Sequence, residues 1–200
     1  MLSIREYVHQ LDWDNICKIH DQARIIELEK SAPKEAFVPL RQCYKEEKLF
    51  DSLIFVAEQN NETIGFVAFC NKEITWLYID PKFFRKGYGK QLLSFALRKV
   101  LKPARVTVLN NNLRAINLYK ALGFTVEKEQ QGKIPLTNIE VTSLRMVLNE
   151  WKKNIFLQKF VLFVDFHLIG EKNGKKHGKM LNIVVINVDA INQKIKKNEK

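Results

Sequence analysis

The chain is poor in the residues that build metal centres and disulfide frameworks. It has three cysteines, Cys17, Cys43 and Cys70, an odd number with no CxxC spacing. That argues against a disulfide framework and against a zinc site. The four histidines, His9, His20, His167 and His177, form no HExxH pair, so no metal is expected. There is no GK[ST] phosphate loop and no GxGxxG dinucleotide fingerprint. No run reaches the ~18 uncharged apolar residues of a spanning helix. The richest, residues 156–169, contains Lys159 and Asp165. Residues 1–10 carry no apolar core of signal-peptide length. A reduced, cytoplasmic protein with no membrane partner is the expectation.

What is present is a folded composition, 46% hydrophobic and 28% charged over 200 residues. That length holds one domain, or one domain plus an extension. The net charge of +11 resembles a nucleic-acid footprint until it is divided along the chain. Residues 1–150 hold 22 Lys/Arg against 18 Asp/Glu, and residues 151–200 hold 11 against 4. Most of the excess lies in the last quarter, so a basic active-site cleft is not implied.

Along the chain, residues 4–8 read as a short strand. Asp12 is a plausible N-cap for a helix with Trp13, Ile16, Ile19, His20 and Ala23 on its apolar face, continuing toward Leu28. A short helix is expected over 40–48. Residues 53–58 and 63–70 form a hairpin around Gln59-Asn60-Asn61-Glu62. Residues 73–80 make a central strand, with Ile74, Trp76 and Tyr78 on one face and Leu77 and Ile79 on the other. A glycine-containing turn over 82–89 leads into a helix through Leu101. Residues 105–109 are a strand, 113–122 a helix ended by Gly123, and 124–128 and 139–148 the last strands. The order predicts an α/β domain with a mixed sheet ending near Asn149. Residues 150–200 form a separate Lys/Asn/Ile-rich extension with β-like runs at 160–169 and 181–188.

Two segments carry chemistry. Tyr78-Ile79-Asp80-Pro81 followed by Arg85-Lys86-Gly87-Tyr88-Gly89-Lys90 is a strand, a loop with little side-chain bulk at two positions, and a helix N-terminus. Successive backbone N–H groups there make an anion cradle, which the helix dipole reinforces and which suits a pyrophosphate. Alone, this pattern fits a plain tight turn equally well. The second segment, Asn112-Leu113-Arg114-Ala115-Ile116-Asn117-Leu118-Tyr119-Lys120-Ala121-Leu122-Gly123-Phe124, follows about 25 residues after the glycines. Together, in this order and spacing, the two resemble the GNAT superfamily of acetyl-CoA-dependent N-acetyltransferases over residues 1 to about 149.

The resemblance implies a mixed, mostly antiparallel central sheet flanked by helices, with acetyl-CoA as co-substrate and an amine acceptor. The main chain of Leu77, Tyr78 and Ile79 would pair with the acetyl-pantetheine arm where the central strand splays from the strand over 105–109. The amides from Arg85 through Lys86, Gly87, Tyr88 and Gly89 to Lys90 would hold the pyrophosphate. Asn112 would contact the pantetheine, and Tyr119 would protonate the departing thiolate. One position departs from the family pattern: Phe84 stands where relatives usually carry Gln or Arg. The phosphate contacts are mostly backbone, so weaker binding is the most this would cost.

A lysine amine of pKa ~10.4 is only about one part in 2,500 neutral at pH 7, a cost of roughly 4.6 kcal/mol. A base, or a water chain to one, is therefore expected. Glu73 is the candidate, since it lies fourteen residues before Gly87, where histone-type relatives carry theirs; a solvated strand-end carboxylate is the alternative. The Ile79 amide is the candidate oxyanion donor. Ribosomal-protein N-terminal acetyltransferases carry a Glu on the following strand where this chain has Thr107, which weakens a close analogy with them. Trp76 and Tyr78 line an acceptor pocket or simply fill a central strand. Glu27, Glu29 and Ser31 lie where relatives bind acceptors and read as a solvated helix face. Tyr119 has the alternative of a core aromatic, and Cys70 that of a small buried apolar residue.

The expected function is transfer of an acetyl group to a primary amine in a ternary complex. A catalytically silent acyl-CoA-binding module is one alternative, and an aminoacyl-tRNA acetyltransferase using the basic tail is another. The tail could be a hairpin on the domain or across a homodimer, a basic arm contacting RNA, or an unselected extension. The acceptor pocket is expected from the first helices and the loop over 129–138.

Overall fold

Asparagine sets the tightest turn of the sheet. Strands β2 (Leu53–Gln59) and β3 (Glu62–Cys70) pair antiparallel across Asn60-Asn61 alone, and both asparagines have positive φ, 51° and 62°. A two-residue turn matched to strand twist needs that conformation at both central positions, and Asn accepts it at low cost. In the computed structural model, which describes residues 2–150, the hairpin extends into a seven-stranded sheet. Its other strands are β1 (Ser3–Glu6), β4 (Glu73–Ile79), β5 (Ala104–Leu109), β6 (Thr125–Lys133) and β7 (Glu140–Leu148). The order is β1-β2-β3-β4-β5-β7-β6. Every pairing is antiparallel except β4 with β5, which run parallel. This is the mixed, mostly antiparallel α/β fold expected from the sequence.

Helices cover both faces. On one side, α3 (Tyr88–Leu97) and α4 (Leu113–Ala121) bury Leu92, Leu93, Ala96, Leu97, Ile116 and Tyr119 against Val67, Ile74, Val106 and Met146. On the other, α1 (His9–Leu28) and α2 (Leu40–Cys43) bury Ile16, Ile19 and Leu40 against Val56, Phe66 and Trp76. A third, small apolar cluster joins Leu28 and Ala36 to Leu109 and Ile134.

Four local expectations are corrected. Helix α1 begins at His9, with Val8 as its cap residue, so Asp12 lies inside the first turn. Its carboxylate reaches back to accept the Val8 N–H at 2.7 Å and binds Arg5 through both oxygens, at 2.7 and 2.8 Å. Helix α2 stops at Cys43 instead of continuing to residue 48, where Lys48 turns to φ 53°. Ile74 does not share a face with Trp76 and Tyr78. Ala68 pairs with Trp76 while Phe69 pairs with Ile74, leaving Thr75 as the extra residue of a β-bulge. The bulge reverses the side-chain phase, so Ile74, Leu77 and Ile79 face α3 and α4 whereas Trp76 and Tyr78 face α1. Finally, β6 runs on to Lys133, leaving a loop of only 134–139 before β7. Its residues are almost all exposed, as befits an edge strand, and so carry no apolar alternation. The extension from 151 onward, with its β-like runs and lysine cluster, lies outside the described residues.

Candidate active site

The site begins as a defect in the sheet. Strands β4 and β5 pair only at Glu73 with Arg105 and Ile74 with Val106, and then diverge. The Asp80 N–H bonds the Ile64 carbonyl of β3 at 2.8 Å. Hydrogen-bonded pairs alternate along an antiparallel ladder, so Tyr78 also spends its main chain on β3. Leu77 and Ile79 therefore turn their N–H and C=O groups toward the gap, where β5 has already departed. Gly65, opposite Ile79, makes this close packing feasible. A Cβ there would lie 2.5 Å from Ile79 Cδ1 and 2.7 Å from the Tyr78 carbonyl oxygen.

At the end of β4 the chain forms an anion cradle. The Asp80 carboxylate, itself buried, accepts the Lys82 N–H at 2.8 Å and starts a short 3-10 turn. Arg85 and Gly87 then take left-handed φ of 62° and 82°, and Gly87 caps α3. The first amides of α3 have no partner within the helix and point out of this turn. A Cβ at Gly87 would meet nothing within 4 Å, so the glycine serves backbone conformation and leaves open space above it. Arg85, Lys86 and Lys90 are exposed around it. The Tyr88 hydroxyl instead ties α3 to the β2–β3 hairpin, donating to Gln59 at 2.6 Å. Phe84 is covered by the Arg114 guanidinium, 4.2 Å from its ring centroid, so a cation from α4 stands over the position where relatives carry a polar side chain.

Helix α4 supplies two more groups. Asn112 is its cap, with Oδ1 accepting the Ala115 N–H at 3.1 Å. Tyr119 is buried with its ring 5.6 Å from that of Phe124. Burial, with the charge of Glu27 added, holds its phenol well above the ordinary tyrosine range. It therefore keeps its proton at any pH near neutral.

Glu73 lies at the closed end of the gap. Arg145 of β7 donates to its carboxylate at 2.5 Å. Arg145 and Arg105 also each approach Glu127 at 3.3 Å, completing a partly exposed network of two carboxylates and two guanidiniums. Glu27 is placed quite differently from a solvated helix residue. Its Oε2 accepts from Arg24 at 2.8 Å and from the Tyr78 hydroxyl at 3.1 Å, and its Oε1 accepts from Asn112 Nδ2 at 3.2 Å. The carboxylate thus spans the open gap, from β4 on one side to the residue capping α4 on the other. The periodicity of α1 could have shown this: Ile16, His20, Ala23 and Glu27 recur at spacings of four and three, so Glu27 belongs to the inward stripe. Ser31, one turn further on, has a buried hydroxyl without a partner. Among the described residues, no cluster of His, Cys, Asp or Glu has a metal-binding arrangement, and no helix is long and apolar enough to cross a membrane.

This mixed sheet, parting between two parallel strands beside a glycine-capped helix, is GNAT-like in fold. Residues 50–126 match the family described as acetyltransferase (GNAT) domain. Over 92 residues the chain is 35% identical to the peptidyl-lysine N-acetyltransferase YjaB of Salmonella typhimurium. That alignment spans 43% of this chain and 61% of the relative. Among solved structures, the apo form of YjaB from Escherichia coli superposes with a TM-score of 0.56 at 20% identity, covering 74% of this chain and 97% of that one. YncA from Salmonella typhimurium, solved with acetyl-CoA, superposes with a TM-score of 0.53 at 21% identity, covering 74% and 95%.

Proposed function

We propose that this chain is an N-acetyltransferase that moves the acetyl group of acetyl-CoA to a primary amine by direct attack in a ternary complex. The observation that supports it most is the free edge of β4, with the main chains of Leu77 and Ile79 facing a gap flanked by Tyr119. In this reading Leu77 and Ile79 pair with the acyl-pantetheine arm as a neighbouring strand would, and Tyr78 contributes its side chain instead of its backbone. The Ile79 N–H stabilises the oxyanion. The amides from Arg85 to Lys90, with Gly87 and Gly89 admitting close approach, hold the pyrophosphate. Asn112 shapes the pantetheine path while capping α4. Tyr119 gives a proton to the departing sulfur, and its raised pKa suits a group that must arrive protonated.

The acceptor enters from the α1 face, where two carboxylates, Glu73 and Glu27, are available to receive its proton. The name of the Salmonella relative suggests a lysine side chain as the acceptor, and an amine of that kind is the reading adopted here. Residues 1–149 are the acetyltransferase domain and residues 150–200 an accessory extension.

Calorimetry with acetyl-CoA, followed by thiol release with amines, tests this. The full chain binds acetyl-CoA, and Tyr119→Phe leaves that binding within about threefold. The same variant lowers amine-dependent thiol release about 100-fold or more, the usual scale of a general acid. No acetyl-CoA binding, or undiminished release by Tyr119→Phe, would overturn the reading.

A further inference from the structure

We propose that Glu27 is the catalytic carboxylate that receives the acceptor ammonium and takes its proton, a role that rests on the acetyltransferase reading above. The apolar packing beneath α1 is interrupted where this residue sits. One cluster ends at Trp76 and Tyr78, and the next begins with Leu28 and Leu109. Between them stand Arg24 and Glu27, with side chains only 16% and 15% exposed. A largely buried ion pair is poor value for stability compared with apolar residues of the same volume. Its position opposite the gap in the sheet supplies the reason to keep it.

The bonding also leaves room for a ligand. A carboxylate accepts about four hydrogen bonds. Arg24 and Tyr78 occupy Oε2 and Asn112 occupies one site on Oε1, which leaves Oε1 one vacant direction. Arg24 offsets the charge of Glu27, while Glu47, which also faces Arg24 and His20, adds a second carboxylate to the group. Burial raises the Glu47 carboxyl, so the ammonium is offered the open acceptor direction on Glu27 Oε1. Glu73 is instead placed at the closed end of the gap, where Arg145, shared with Glu127, binds it.

The proton balance is complete. Glu27 takes one proton from R–NH3+ and passes it to water. The neutral amine forms a C–N bond to the acetyl carbon, the C–S bond breaks, and Tyr119 gives its proton to sulfur. Tyr119 is restored by the second proton leaving the nitrogen. The products are the amide, CoA thiol and one released proton.

The test uses the full chain, acetyl-CoA, and two probe amines: a peptide blocked at both ends with one lysine, and spermidine. Calorimetry of Glu27→Gln should give acetyl-CoA affinity within about threefold of the parent. Its kcat/KM for the better probe should fall about 100-fold at pH 7, the scale of a lost general base. The deficit should shrink below about tenfold by pH 9.5, because more of the ammonium then loses its proton unaided. Glu27→Asp should fall between the two. A deficit constant across pH, or lost acetyl-CoA binding in Glu27→Gln with Glu27→Asp equally impaired, would mean that the carboxylate only braces Tyr78 and Asn112, and would overturn the proposal. So would the same pH-rescued deficit appearing in Glu73→Gln instead. If the parent chain binds acetyl-CoA yet releases no thiol with either amine, the acetyltransferase reading fails and takes this proposal with it.

Discussion

Replacing Gly65 with alanine should damage the candidate cofactor site without touching any ligand. The new Cβ would lie 2.5 Å from Ile79 Cδ1, 2.7 Å from the Tyr78 carbonyl oxygen and 3.3 Å from Ile79 Cα. A side-chain end can rotate away, but a backbone oxygen cannot, so β4 must retreat from β3 by roughly half an ångström to reach ordinary contact. Overpacking of this kind costs about 1–3 kcal/mol. Reduced freedom of the unfolded chain returns about 0.4–1 kcal/mol. The net loss is about 1–2 kcal/mol, a fall of roughly 2–8 °C in Tm for a domain of this size. The displacement is directed into the gap that Leu77 and Ile79 face, and misplacement of positioning groups by about 1 Å can cost a hundredfold. Acetyl-CoA affinity should therefore fall about tenfold or more. Thermal unfolding and calorimetry below the transition measure both. Gly132→Ala is the control, since a Cβ there meets nothing within 4 Å. If Gly65→Ala matched the parent in both Tm and acetyl-CoA affinity, the reasoning that links β3 spacing to the gap would be refuted.

Two other outcomes follow from the scaffold. Burial works to raise the pKa of Asp12, but the Arg5 guanidinium and the Val8 N–H outweigh it and leave the carboxyl below its ordinary value. A group with a depressed folded pKa adds stability above its unfolded pKa, and that stability is lost as pH falls through the folded value. Asp12→Asn should thus destabilise by about 2 kcal/mol at pH 7, less than a fully buried pair because Arg5 is partly exposed. The gap between variant and parent should narrow as urea titrations move below about pH 4; a gap independent of pH would exclude the ion pair as its cause. Burial pushes the thiols of Cys17 and Cys43 up to about 11 and about 12, whereas Cys70 is partly exposed. Among these three, a thiol reagent at pH 8 should modify Cys70 first, and fast modification of Cys17 or Cys43 in the folded chain would contradict their burial.

The sequence was legible wherever structure is local. The Asn60-Asn61 turn and the glycines at 87 and 123 are each required by a few neighbouring dihedrals. Errors arose where a distant partner decides. Asp12 looks like an N-cap until Arg5 and Val8 are seen to claim its carboxylate from within the helix. The face of Ile74 depends on the bulge at Thr75, which only the register with Ala68 and Phe69 reveals. Strand β6 is held by its ladder to β7, so its exposed Glu, Lys and Gln residues give no alternation. The spacing of Ile16, His20 and Ala23 continues to Glu27, but its charge reads as a solvated helix face. Only Tyr78 and Asn112, 51 and 85 residues away, show why it is inside.

The sparse joint between β4 and β5 also has a mechanical meaning. Two residue pairs, at Glu73 and Ile74, connect a leaf of four strands to a leaf of three. The bulge at Thr75 lies immediately beyond those pairs, so the strand kinks where the leaves part. Pulling the leaves apart meets little resistance from the sheet itself, and the join behaves as a hinge, closed at one end and open at the other. Resistance comes from the helices beside the seam, from the Glu73–Arg145 pair at its closed end, and from the Glu27 carboxylate bonded to both sides. Whatever fills the slot becomes a splint for the whole sheet.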